Sequence, residues 1–452
     1  MLTIRNAVAT FIDETTESSG DLFLDQGVVV EPSRPNHGGS STGAARDEPA
    51  VLDASGCVVT PGLVNAHHHL LQSAFRTLPG TRGVAMATWL PTMAAAYAAV
   101  GIDPELAYAS ARVGVAEGLL SGVTTVADHH LNWPAGASTA ETVAIATATA
   151  TAAIELGARL VFVRGSARDD AEAAAASAES IMNALVPNAL QGIRSDGMLQ
   201  VAIGPAGVHS DSRKTFALFG ELAAKYGLRR RTQANEQVDV AIALDKYGRR
   251  PIDLLDEWGW LAPDVTLAHL CAVTDDEISR LAAAGVTGTH APACDLPMGW
   301  GIAPVAALTA AGISMGLGTS GGGSNDAGHL LADARLAMQI APLVGPPIAA
   351  RHILGMATKG SALGLGRPEL GSLALGDAAD VCVWDVSGVA DAAVADPVAG
   401  LLWANPGRRP KHVIVAGRIV VRDYHLVTTG GDPLDDRALA TDLESLLSAR
   451  RR

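Results

Sequence analysis

The chain has 452 residues, 48% of them hydrophobic and 18% charged, which is enough apolar material for a large core and too little charge for a disordered chain. The net charge, 33 − 47 = −14, argues against the basic face that a nucleic acid or an anionic membrane needs, so neither is expected as a partner. Four cysteines, Cys57, Cys271, Cys294 and Cys382, lie far apart with no CxxC pair, as suits a reducing compartment. The opening Met1-Leu2-Thr3-Ile4-Arg5 lacks the profile of a secretion signal, and a cytoplasmic location is expected. Alanine-rich runs near 92–100 and 140–155 are broken by polar residues and read as packed helices, not membrane spans.

Taken in order, residues 1–60 read as short strands joined by turns. Leu2-Thr3-Ile4, the run from Val8 to Ile12, Gly27 to Val30 and Ala50-Val51-Leu52 are strand-like. A polar, Gly/Ser/Pro-rich insert at about 32–48 reads as a mobile loop or a disordered stretch. Cys57-Val58-Val59 reads as a short buried strand leading through Pro61-Gly62 into His67-His68-His69. Along an extended segment side chains alternate faces, so His67 and His69 share one face and His68 takes the other. Two imidazoles on one face can grip a metal ion, while an isolated HxH can also be a polar loop with satisfied histidines.

From 61 to 370 strand-like runs alternate with Ala/Leu-rich helical stretches. After the first strand come Val123 to Ala127, Leu160 to Val163, Leu199 to Ile203, Leu228 to Thr232, Val265 to Ala268, Val286 to Thr289 and Ile313 to Leu317. Repeated strand-then-helix units predict an α/β fold, a (β/α)8 TIM barrel, with chemistry at the C-terminal strand ends. A doubly wound sheet is the rival, but its Gly-rich first turn is missing. Strands return after 371, at Val381 to Trp384, His412 to Ala416 and Arg418 to Val421, and a helix is expected from about 434 to 450. The terminal segments, 1–60 and 371–452, are therefore expected to build one small β-sandwich domain beside the barrel.

Reactive residues gather at the predicted strand ends. The first carries His67 and His69, the second Asp128-His129-His130, the third Arg164 and the fourth His209. The fifth carries Gln233 and Glu236, the sixth His269, and the seventh His290 with Cys294 and Asp295 beyond it. The eighth ends in Thr319-Ser320-Gly321, followed by Ser324-Asn325-Asp326. In a barrel these ends converge on one mouth.

Pro61 to His69, Gly122 to His130, Ala268-His269, Gly316 to Gly321, Ser324-Asn325-Asp326 and Gly376 to Val381 make the chain resemble the amidohydrolase superfamily. It resembles most the branch of triazine hydrolases, 8-oxoguanine deaminase and isoxanthopterin deaminase, and Pro297-Met298-Gly299-Trp300-Gly301 is similar to the triazine-hydrolase side. The resemblance implies one Zn²⁺ or Fe²⁺ held by the first-strand HxH, a histidine after the fifth strand and an aspartate after the eighth. His67, His69, Glu236 and His269 match that pattern. Gln233 stands at the position of the histidine and Ser320 at that of the aspartate. An amide and a hydroxyl are weaker zinc ligands, so metal affinity should fall severely.

The resemblance further implies that His67 and His69 hold the metal, with Gln233 as a weak ligand, and that Glu236 shuttles protons while His269 polarises the substrate. It places Gln72, Trp89, His129, Met298, Trp300, Ser320 and Asn325 around the substrate. Gln72 could pair with a ring nitrogen and Trp89 could stack on a flat heterocycle; plain packing explains either as well. His129 or His130 is expected to support the ligands from behind. Helix capping alone could account for Asn325 and Asp326, and Cys294 reads as an ordinary buried thiol. The expected function is hydrolysis of a small N-heteroaromatic such as a triazine, purine or pterin by a homodimer or larger homo-oligomer. A metal-poor or metal-free relative doing acid–base chemistry, or a binder of a heterocycle without catalysis, are the alternatives.

Overall fold

The computed structural model describes residues 1–32 and 50–451. The polar insert expected near 32–48 falls in the stretch 33–49, outside the described residues. Seven parallel strands run in sequence order: Leu63–His69, Val123–His130, Arg159–Ser166, Leu199–Pro205, Arg230–Ala234, Val265–His269 and Thr287–His290. The eighth is split. Met315–Leu317 pairs with the seventh strand, and Ser320–Gly321 pairs with the first, through Ser320 opposite His68 and Gly321 opposite His69. The split strand joins both edges of the sheet and closes it into a (β/α)8 barrel.

One feature differs from the sequence reading. Cys57–Pro61 does not run on into the barrel; it pairs with Val381–Asp385 and Ala9–Asp13 in a second sheet. The first barrel strand starts only at Leu63. A buried β-branched run suits either sheet, so its composition could not tell them apart. The switch happens at Gly62, where an added Cβ would meet the Thr124 side chain at 2.2 Å.

The second sheet contains Ala9–Asp13, Thr16–Ser18, Cys57–Pro61, Val381–Asp385, His412–Val415, Arg418–Arg422 and His425–Leu426. A third sheet, of Leu2–Arg5, Leu22–Asp25, Val28–Val30 and Ala50–Asp53, packs on it through Leu2, Ile4, Leu24, Val59, Val381 and Ile414. Both chain ends thus supply one small β-sandwich. Asp435 caps the last helix, Asp436–Arg450, by accepting from two backbone N–H groups. No helix among the described residues is long and apolar enough to cross a membrane.

Barrel and sandwich are tied by a buried bidentate pair. Arg159 Nε donates to Asp380 at 2.7 Å and Nη2 at 2.9 Å, and the same carboxylate accepts Ala416 N–H at 2.8 Å. Removing one partner strands the other charge away from water. Asp380→Ala is expected to cost about 3–5 kcal/mol in urea unfolding; a loss under about 1 kcal/mol would mean that the pair is solvated in solution.

Candidate active site

The first and eighth barrel strands approach so closely that an added Cβ on Gly318 would sit 2.7 Å from the His67 Cβ. Asn65 Nδ2 donates to Thr319 Oγ1 at 2.8 Å, and Thr319 N–H returns a bond to Asn65 Oδ1 at 3.2 Å. His68 Nδ1 contacts the same hydroxyl at 2.8 Å. His68 is thereby used in closing the barrel, while His67 and His69 turn to the other side with rings 4.9 Å apart. His129 lies 5.8 Å from His67 and His269 5.2 Å from it, between ring centroids.

His69 Nδ1 donates to the His129 carbonyl at 2.7 Å, which leaves Nε2 as its free lone pair. His129 Nε2 in turn donates to the Gly204 carbonyl at 2.9 Å. His67 Nε2 is buried and has no partner. Burial, together with the neighbouring histidines, holds His67 well below the ordinary histidine range. It holds His69 down at about 4 and His129 at about 3. All three are neutral near pH 7, the state in which an imidazole can ligate.

Gln233 is the penultimate residue of the fifth strand, and Ser320 opens the second piece of the eighth; both line the adjoining cavity. Arg231 shares Gln233's strand face by the period of two. Its buried guanidinium donates to the Ala66 carbonyl and makes no ion pair among the described residues. Burial pulls its pKa down to about 9. The two strong donors, His67 and His69, are thus joined by two neutral ones beside a buried cation. The unpartnered His67 Nε2 and the oriented His69 fit a divalent ion, and the weak remainder of the set fits loose binding.

Glu236 stands at the start of the helix Gln237–Tyr247, yet its carboxylate does not cap that helix. Both oxygens are buried without a hydrogen-bond partner, and Oε1 lies 3.6 Å from His269 Nε2. Burial pushes this carboxyl up to about 7, against the pull of His269. On the far side of the ring His269 Nδ1 is 2.6 Å from Asp295 Oδ1. Burial alone would lower His269, but Asp295 and Glu236 raise it on balance. Asp295 was not among the expected site residues. Its signal was its place just past the seventh strand, where the other strand ends carry their reactive groups. Asn235, His269, Leu270 and Ser320 all adopt positive φ, of 53°, 75°, 56° and 55°. Strained backbone of this kind costs about 1–3 kcal/mol per residue and gathers at functional sites.

A cavity of about 220 Å³ adjoins this cluster, and His69, Gln233, Ser320, Trp89, Met298 and Trp300 are among its lining residues. Its size suits a small planar ligand rather than an extended one. Gln72 and Trp89 both line it, and both also hold the Gly323 backbone: Gln72 Oε1 accepts its N–H at 2.9 Å, and Trp89 Nε1 donates to its carbonyl at 3.1 Å. Trp300 sits edge-on to His269 at 5.0 Å, and its Nε1 is buried without a partner, as is Nδ1 of the lining residue His209. Asn325 is not among the lining residues. Its amide donates to the Thr319 carbonyl at 2.9 Å and to Asp333 at 3.3 Å. Neither Asn325 nor Asp326 caps the following helix, Leu330–Ile340, whose N-cap is His329. Asp326 instead accepts Thr77 N–H at 2.8 Å.

The profile of the amidohydrolase family matches residues 58–420. The chain is 33% identical to an 8-oxoguanine deaminase from Pseudomonas aeruginosa, over 92% of each chain. It is 29% identical to an isoxanthopterin deaminase from an unknown prokaryotic organism, over 84% of each. Among solved structures it is similar to an atrazine chlorohydrolase from Arthrobacter aurescens TC1 complexed with zinc. That match has 32% identity and a TM-score of 0.87, and covers 99% of this chain and 100% of the other.

Asp333 joins the short helix after the seventh strand to the segment that follows the eighth, since it accepts from Ala293 N–H and Asn325 Nδ2, both at 3.3 Å. Burial pushes its carboxyl up to about 8. The folded value therefore exceeds the unfolded one of about 3.9, and the native state binds the extra proton between them. Stability should fall as pH rises from about 4 to about 8 and level off above that. Asp333→Asn is expected to flatten this part of the urea-unfolding profile; an unchanged slope would show that Asp333 is ionised across the range.

Proposed function

The chain belongs to the amidohydrolase family, and from that footing we propose that it hydrolyses a small N-heteroaromatic such as a triazine, purine or pterin. Water forms a new C–O bond at an amidine-like ring carbon, and a C–N or C–halogen bond breaks to release ammonia, an amine or halide. The observation that carries this reading is the Glu236–His269 contact of 3.6 Å, with both carboxylate oxygens otherwise unpartnered. Glu236, poised near neutrality by burial, takes the proton from the attacking water and delivers it to the leaving group. His269, kept cationic by Asp295, holds the charge that develops on the ring nitrogen.

Gln72, Gln233 and Ser320 offer the ring hydrogen bonds, and Trp89, Met298 and Trp300 provide its walls. His129 orients His69 through its carbonyl, and Asn325 holds the eighth strand in place behind Ser320. His67 and His69, with Gln233 and Ser320, would hold one divalent ion, Zn²⁺ or Fe²⁺. Such an ion supplies a water molecule of lowered pKa. A second reading, acid–base chemistry with no ion, is favoured by the neutral side chains of Gln233 and Ser320 beside the buried Arg231 guanidinium. In either case the barrel, about 61–370, carries the site, and the segments 1–60 and 371–452 support it. The enzyme works in the cytoplasm as a homodimer, with no nucleic-acid or membrane partner.

Ammonia release from a panel of triazines, oxidised purines and pterins tests the activity, and turnover of none would remove it. Glu236→Gln is expected to lower kcat by about 10²–10⁴ while leaving substrate binding nearly intact; binding without any change in rate would assign Glu236 a packing role. Elemental analysis decides between the two readings. Weak occupancy that Gln233→His raises supports the ion-assisted route, and turnover with no ion bound supports the other.

A further inference from the structure

Among the described residues one set of three metal-competent side chains converges, and it is not centred on His67 and His69. One ligand atom each from His269, Cys294 and Asp295 lies within 4.8 Å of the others, and all three residues are buried. We propose that these three residues form a separate binding site for a soft divalent cation such as zinc, and that filling it stops the enzyme.

The donor types fit. Tetrahedral zinc with nitrogen, sulfur and carboxylate ligands sets their atoms roughly 3.3–3.8 Å apart, so small side-chain rotations suffice. Asp295 Oδ2 is buried without a hydrogen-bond partner. The Cys271 thiol faces the same carboxylate from the loop after the sixth strand. Cys294 packs in one apolar cluster with Met86, Met298 and Trp300, with Cys271 against it, so the neighbourhood is rich in sulfur. Thiolate and thioether groups select soft ions over magnesium or calcium. By contrast His67, His69, Gln233 and Ser320 contain no sulfur. Cys294 takes no step in the proposed hydrolysis; its thiol hydrogen-bonds with the hydroxyls of Ser320 and Ser324, weak partners that a metal ion can replace.

On binding, the ion takes the place of the proton between His269 Nδ1 and Asp295 Oδ1 and of the thiol proton of Cys294. Two protons are released, one from the His269–Asp295 hydrogen bond and one from the Cys294 thiol, and three metal–ligand bonds, to nitrogen, oxygen and sulfur, replace that N–H···O bond and the S–H bond. His269 is then held as a ligand and can no longer carry charge for the reaction. This inhibitory consequence rests on the catalytic role given to His269 above; the binding itself does not.

Cobalt(II) titration of the full chain reads the two parts separately. A thiolate-to-cobalt charge-transfer band in the near ultraviolet is expected in the wild type and in the His67→Ala/His69→Ala variant, and it should vanish in Cys294→Ser. Zinc inhibition of turnover should weaken by at least roughly 10–100-fold in Cys294→Ser, the loss seen when even a group that only supports a ligand is removed, with turnover in zinc-free buffer retained. Cys294→Ala serves if the serine variant does not fold. Absence of the band in the wild type overturns the site, as does a band that persists in Cys294→Ser but disappears in Cys271→Ser. A band without zinc inhibition overturns only the regulatory consequence.

Discussion

The molecule depends on how its first and eighth barrel strands meet. Gly318 can approach the His67 backbone only because it has no side chain, and Asn65 and Thr319 exchange hydrogen bonds across the seam. This seam closes the barrel and also aims the histidine triplet. His68 is used up in the closure, and its neighbours are thereby forced to the opposite side. The break in the eighth strand puts Ser320 into a left-handed conformation, φ 55°, beside the same cavity. Closure and site construction are therefore one geometric event, and a looser seam would degrade both.

Around that frame the protein buries far more ionisable groups than a structural core needs. His67, His69, His129, Arg231, Glu236, Asp239, His269 and Asp295 are all withdrawn from water. Burying charge is expensive, and the cost is met unevenly. His269 and Asp295 neutralise one another at 2.6 Å. Glu236 is left without hydrogen bonds and shifts toward neutrality, and the histidines near His67 stay uncharged. A carboxyl that is easily protonated beside a histidine that is easily charged is the combination general acid–base chemistry requires. It is also an arrangement that packing alone would not favour, because well-packed apolar residues would be more stable.

Much of this was legible in the sequence because it rests on period and position. The repeated strand-then-helix units specify the barrel, and the strand ends specify the mouth, so His67, His69, Gln233, Glu236 and His269 could be placed near one another. What failed was local ambiguity. Cys57-Val58-Val59 has the composition of a buried strand but nothing in it says which sheet. Asn325 and Asp326 resemble helix caps, yet their partners are Thr319, Asp333 and Thr77, contacts that only the folded chain defines. Asp295 lay in view at a strand end, but its bond to His269 spans 26 residues and follows from the path of an irregular loop. The buried Arg231 could have been found by counting back two residues from Gln233.

The replacement of two expected ligands by Gln233 and Ser320 takes on meaning from the supports that remain. The groups that orient His69 and clamp the eighth strand are the His129 carbonyl and the side chains of Asn65, His68, Thr319 and Asn325, so they persist whatever stands at 233 and 320. The acid–base pair is held by Asp295 and by the start of the helix after the fifth strand. Gln233 and Glu236 share the end of the fifth strand, but His67, His69 and Ser320 stand on the first and eighth strands and His269 on the sixth, so ion binding and proton transfer can weaken separately. A chain can lose much of its hold on a metal while its carboxylate and imidazole stay in register, and His269 at the end of the sixth strand, with Cys294 and Asp295 just past the seventh, would then offer a soft ion another place to settle.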